Sequence, residues 1–128
     1  MPEYELACEF DIVRRIGWTD DDLGNHIDAV FERLHQASDV VGLDATSNLD
    51  TGRSAIALRY SAERGDNPER IGRTTLGVAV RASGGNHNGL LPLSEEASMK
   101  PERGQWSGLR TPTWNVRQVT LNEIPRSD

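Results

Sequence analysis

The chain opens on a two-residue rhythm. Tyr4, Leu6, Cys8, Phe10 and Ile12 alternate with Glu5, Ala7, Glu9 and Asp11, so one parity is apolar and the other small or acidic. Successive side chains of a strand point to opposite faces, and this alternation predicts a half-buried strand over residues 4–13. The period then lengthens. Thr19 stands as an N-cap ahead of Asp20, Asp21 and Asp22. Thr19 and Asp22 have the spacing of a capping box, and the three carboxylates suit the positive end of a helix dipole. Trp18 and Leu23 occupy the two positions of a hydrophobic staple. Leu23, Ile27, Val30, Phe31 and Leu34 fall on one helical stripe, which predicts a helix over residues 20–37.

Two further alternating runs follow. Val41, Leu43 and Ala45 interleave with Gly42, Asp44 and Thr46, and Ile56, Leu58 and Tyr60 interleave with Ala55, Ala57 and Arg59. The segment Asn48-Leu49-Asp50-Thr51-Gly52 between them has turn chemistry, so the pair reads as a β-hairpin. Asn67-Pro68-Glu69 is a helix start, and Ile71, Thr75, Val78, Ala79 and Ala82 continue it up to the stop signal Gly84-Gly85. A strand competes over the same residues, because Thr74, Leu76, Val78 and Val80 also alternate. Gly72 and Gly77 each weaken a helix by about 1 kcal/mol relative to alanine. The caps favour the helix. Residues 84–112 hold no sustained period and contain Pro92, Pro101 and Pro112. Residues 114–124 read as a last strand whose inward face stays open: Val119 and Leu121 share one parity, Trp114, Val116 and Ile124 the other.

Strand, helix, strand, strand, helix, strand is the ferredoxin-like βαββαβ order. The expected fold is therefore α+β: a four-stranded antiparallel sheet, two helices on one face, and a long excursion before the last strand. A length of 128 residues suits one domain over residues 1–128, with 84–112 as a Gly/Pro-rich arm or loop. The strings Leu43-Asp44-Ala45, Leu49-Asp50-Thr51-Gly52-Arg53, Ala82-Ser83-Gly84-Gly85 and Thr111-Pro112-Thr113-Trp114-Asn115-Val116 carry a resemblance. In them the chain resembles small uncharacterised ferredoxin-like α+β proteins of actinobacteria and their phages. The resemblance implies the fold and an actinobacterial or phage source, and brings no activity with it.

Charge narrows the function classes. The formal net charge is −6, which disfavours a basic nucleic-acid groove or an anionic lipid surface. RNA recognition on an exposed sheet is disfavoured too, because acids stand where stacking aromatics belong. The imbalance sits in residues 1–64, with 13 acidic and 6 basic side chains. No apolar run approaches the roughly 20 residues that span a bilayer. Residues 1–5 are acidic where a secretory leader is basic and then apolar. Cys8 is the single cysteine, so neither an intrachain disulfide nor a multi-cysteine zinc cage can form. A reducing cytoplasm is the expected compartment.

Candidate chemistry is sparse. His26 and His35 are nine residues apart and point about 180° apart around a helix, so they cannot share a metal within one chain. Asp22, four residues before His26, suits a surface pair with it. His87 lies in Gly84-Gly85-Asn86-His87-Asn88-Gly89, a loop able to turn backbone amides toward an anion but lacking the Gly-Lys-Ser/Thr ending of a phosphate loop. Cys8 falls on the inward parity, where a thiol is usually an inert core group. On the outward parity, Glu5, Glu9 and Asp11 offer carboxylates, with Arg59 as the natural cross-strand partner. Leu90, Leu91, Leu93, Trp106 and Trp114 are a heavy apolar load for a Gly/Pro-rich stretch. Either they pad the sheet or they form a partner-contacting arm.

These features lead to an expected non-enzymatic protein-binding or assembly module, a homodimer with a further protein partner as an additional role. Its expected contacts are Glu5, Glu9, Asp11 and Arg59 on the open sheet face and Leu90, Leu91, Trp106 and Trp114 on the arm. No cofactor and no metal are expected. The alternative is a small-molecule sensor or enzyme with the 84–112 segment as a lid and His87, with Glu9 or Asp11, as acid–base group.

Overall fold

The computed structural model describes residues 2–37, 40–63, 65–90 and 111–125. They form β1 (Glu3–Val13), α1 (Asp20–Gln36), β2 (Val40–Asn48), β3 (Arg53–Ser61), α2 (Pro68–Ala82), β4 (Asn86–Asn88) and β5 (Thr113–Ile124). The architecture is mixed α+β, with two helices and one five-stranded sheet in the order β2-β3-β1-β5-β4 among the described residues. Neighbours pair antiparallel except β4 and β5, which run parallel. The expected four-stranded, wholly antiparallel sheet is thus corrected by one edge strand. Asn86-His87-Asn88 is too short and polar to show a period. It is held by its neighbour, with Asn88 Nδ2 donating to Asn115 Oδ1 at 2.9 Å.

Local chemistry explains the helices. Asp22 N donates to Thr19 Oγ1 at 3.2 Å while Thr19 N donates to Asp22 Oδ2 at 3.0 Å, so both halves of the capping box close. Asn67 Oδ1 accepts from Arg70 N at 3.2 Å and Pro68 opens α2, which settles residues 68–82 as helix. The helix-weakening glycines have a packing reason. A Cβ on Gly72 would lie 2.7 Å from both Leu6 Cδ2 and Tyr60 Oη, and one on Gly77 would lie 2.9 Å from His87 Nε2. Absent side chains bring α2 down onto β1, β3 and β4. In the hairpin between β2 and β3, Gly52 takes φ +73° and its carbonyl accepts from Ile12 N at 2.7 Å.

One face of the sheet is the core. Leu6, Cys8, Phe10 and Ile12 of β1 and Ile56, Leu58 and Tyr60 of β3 are buried there. Leu23, Ile27, Val30 and Leu34 of α1 and Leu76, Ala79 and Val80 of α2 close over them. Burying each such side chain is worth about 1.5–3 kcal/mol relative to exposure, which is why the apolar parity goes under the helices. The two-parity puzzle of β5 resolves through a β-bulge. Cys8 pairs with Val119 and Glu9 with Gln118, but Phe10 pairs with Val116 and Ile12 with Trp114. The extra residue, Arg117, flips the parity, so Trp114, Val116, Val119 and Leu121 all face the helices. Ile124, opposite Glu3, faces the other way.

The start of the expected arm belongs to this core. Leu90 is fully buried, and Arg73 of α2 holds its foot by donating to the carbonyls of Gly89 at 2.8 Å and Leu90 at 3.2 Å. Leu91 and Trp106 lie outside the described residues. Among the described residues, no helix is long and apolar enough to cross a membrane.

Candidate functional site

His26, His87 and Cys8 face inward, whereas His35 is exposed near the end of α1. Trp114, expected as a partner contact, is fully buried, with its ring edge against Phe10 at 5.2 Å between centroids. Its indole Nε1–H donates to His26 Nε2 at 2.9 Å, and His26 Nδ1 lies 3.1 Å from the carbonyl of Ser83. An indole can only donate and a carbonyl can only accept, so His26 is neutral with its proton on Nδ1. The expected surface pair with Asp22 does not form; Asp22 caps α1 instead. Gly85 leaves room for this ring, since a Cβ there would stand 3.0 Å from His26 Cε1 and Nε2. A chain of two hydrogen bonds therefore ties α1, the end of α2 and the start of β5.

Burial lowers the His26 pKa from its ordinary value, and the hydrogen bond to the Ser83 carbonyl opposes this only partly. Below the unfolded value near 6.5, the unfolded chain binds the proton that the folded chain refuses. Stability is then complete above that value and is lost as pH falls through the window below it. A protonated ring would also set Nε2–H against the indole N–H. The expected result is a slope of up to about 1.4 kcal/mol per pH unit just below pH 6.5. Urea titrations at stepped pH check it, with His26→Gln, which keeps a donor and an acceptor but cannot titrate, giving a flatter profile.

His87 sits on β4 opposite Trp114, buried beneath Gly77. It is a core residue of a strand, not a residue of an exposed loop. Glu9 and Asp11 project from the opposite face, so the sheet itself separates His87 from both carboxylates of the alternative acid–base set. Burial pushes the Cys8 thiol up to about 12, which keeps it protonated and un-nucleophilic.

The other face is where charge gathers. β1 runs through its centre with Glu5, Ala7, Glu9 and Asp11 outward; β3 sets Arg59, Ala57, Ala55 and Arg53 directly opposite them. Arg59 Nε meets Glu5 Oε2 at 3.1 Å, the expected cross-strand pair. Asp11 takes two guanidinium groups, Arg117 at 3.0 Å and Arg53 at 3.6 Å. The exposed Glu9 carboxylate makes no ion pair among the described residues. Between the charged ends Ala7, Ala55 and Ala57 form a floor of methyl groups. Two shallow grooves open along it, one of about 340 Å³ between Glu9, Thr46, Arg53 and Arg117, the other of about 270 Å³ over Ala7, Ala57 and Asp44.

The structure thus brings Glu5, Glu9, Asp11 and Arg59 onto one accessible face and sends Leu90, Trp114 and His87 to the other. Arg53, Arg117 and the alanine floor were missed by sequence reasoning. Arg53 and the alanines follow directly from hairpin register, while Arg117 reaches this face only through the bulge. Comparison of the chain with protein-family models, with curated proteins and with solved structures gives no match.

Proposed function

We propose that this chain is a non-enzymatic protein-docking module of a reducing cytoplasm, built on a ferredoxin-like sandwich and acting through the open face of β1, β3 and β5. The sandwich assignment is supported by β2-β3-β1-β5, which has the neighbours of a βαββαβ sheet once the short β4 is set aside. One observation carries the docking role: an alanine floor with arginine–carboxylate pairs at both ends lies on one face, while the His26 and His87 imidazoles and the Cys8 thiol are locked into the core on the other. A small-residue floor admits another protein surface closely, and the paired charges at its two ends supply orientation. An actinobacterial or phage source, as the sequence resemblance implies, suits a docking module of this acidic balance.

Ala57→Arg, in the middle of the floor, tests it against Val78→Arg on the exposed side of α2. With circular dichroism unchanged for both, proteins co-purifying with the wild-type chain are expected to be lost on Ala57→Arg and retained on Val78→Arg. Equal retention by both variants would remove the open face as the docking surface.

A further inference from the structure

We infer that the partner of the open face is a second copy of this chain, seated face to face about a two-fold axis that runs along the strands between β1 and β3; this rests on the docking role proposed above. The register supplies the reason. Glu5 stands opposite Arg59, Ala7 opposite Ala57, Glu9 opposite Ala55 and Asp11 opposite Arg53. A two-fold along the strands exchanges β1 with β3 without changing level. Glu5 of one copy then lies over Arg59 of the other, Asp11 over Arg53, and alanine over alanine between them. Every contact occurs twice, as an isologous interface requires.

The alternative two-fold, across the strands, fails on charge. It stacks β1 on β1 end for end, setting Glu5 over Asp11 and Arg59 over Arg53. Like charges facing one another in this way cost several kcal/mol. The charge pattern is therefore self-complementary about one axis and self-repelling about the other.

Flanking strands agree with the favoured axis. Asp44 of β2 pairs with Ala57 and Thr120 of β5 pairs with Ala7, so the exchange puts Asp44 over the neutral Thr120. Each guanidinium keeps its own carboxylate and has donors left for the facing one. Glu9, without an ion pair among the described residues of its own chain, comes over Ala55, two residues along β3 from Arg53 of the second copy. Sheets packed face to face cross at about 30°, an angle small enough to keep the strands of the two copies near alignment.

Sedimentation velocity and light scattering of the full chain over a dilution series test this. The wild type is expected at twice the 14.2 kDa chain mass. Arg59→Glu, at an exposed position, is expected to weaken dimerisation about 30-fold or more, since a broken desolvated charge pair costs at least about 2 kcal/mol. Combining it with Glu5→Arg restores the pairing in reversed polarity, and the dimer is expected to return. A dimer indifferent to Arg59→Glu, or one tightened by Glu5→Arg alone, would overturn the arrangement. A wild-type monomer at every concentration overturns the self-partner, and the docking role then stands or falls separately on whether Ala57→Arg still abolishes co-purification.

Discussion

Trp114→Ala is expected to be the most damaging single substitution, costing about 3–5 kcal/mol. The indole is fully buried between Phe10 and His26, and its removal leaves a cavity at the meeting point of α1, α2 and β5. It also strands His26 Nε2 without its donor, a loss that Trp114→Phe isolates at about 1–3 kcal/mol. Small domains hold only about 5–15 kcal/mol in total, so the alanine variant is expected to be substantially unfolded at modest urea. Equilibrium urea unfolding followed by far-ultraviolet circular dichroism checks both values. A loss under about 1 kcal/mol for Trp114→Ala would show that this indole is not buried in the core.

Gly72→Ala is expected to destabilise even though it replaces a helix-weakening residue by the strongest helix former. Propensity alone favours alanine by about 1 kcal/mol. Against it stands a Cβ 2.7 Å from Leu6 Cδ2 and from Tyr60 Oη. Tyr60 cannot swing aside cheaply: it is buried and its hydroxyl donates to the Pro68 carbonyl. Overpacking a core of this kind costs about 1–3 kcal/mol, so the steric effect outweighs the propensity gain. Thermal unfolding gives the sign directly: a lower midpoint is expected for Gly72→Ala, and a higher one would mean α2 does not lie this close to β1 and β3.

Much of the frame is legible in the residues themselves. The alternation of β1, the Thr19 cap, the hairpin around Gly52 and the Asn67-Pro68 start each state their structure locally, because caps, turns and period-two burial are short-range effects. Glu5 and Arg59 could be paired from strand order alone. Other features depend on contacts between distant residues. Arg117 breaks the parity of β5 with no mark in its own neighbourhood, so Trp114 and Val119 look like opposite faces until β1 is laid beside them. Gly72 and Gly77 read as flaws in a helix until Leu6, Tyr60 and His87 occupy the space they leave. His26 reads as a half-exposed flank until Trp114, 88 residues along, arrives with a donor. Asn86–Asn88 becomes a strand only because β5 offers an edge.

Thiol accessibility tests the two-sided character of the sheet most directly. The wild-type chain carries one thiol, Cys8, under the helices; Ala57→Cys adds a second on the face behind it. With an alkylating reagent and intact-mass detection, the native wild type is expected to stay unmodified and to take one label only when denatured. The variant is expected to take one label rapidly at high dilution and to be slowed as concentration rises and the open face is covered. Rapid labelling of native Cys8, or an introduced thiol that stays unreactive at every dilution, would contradict an inward core backed by an accessible docking face.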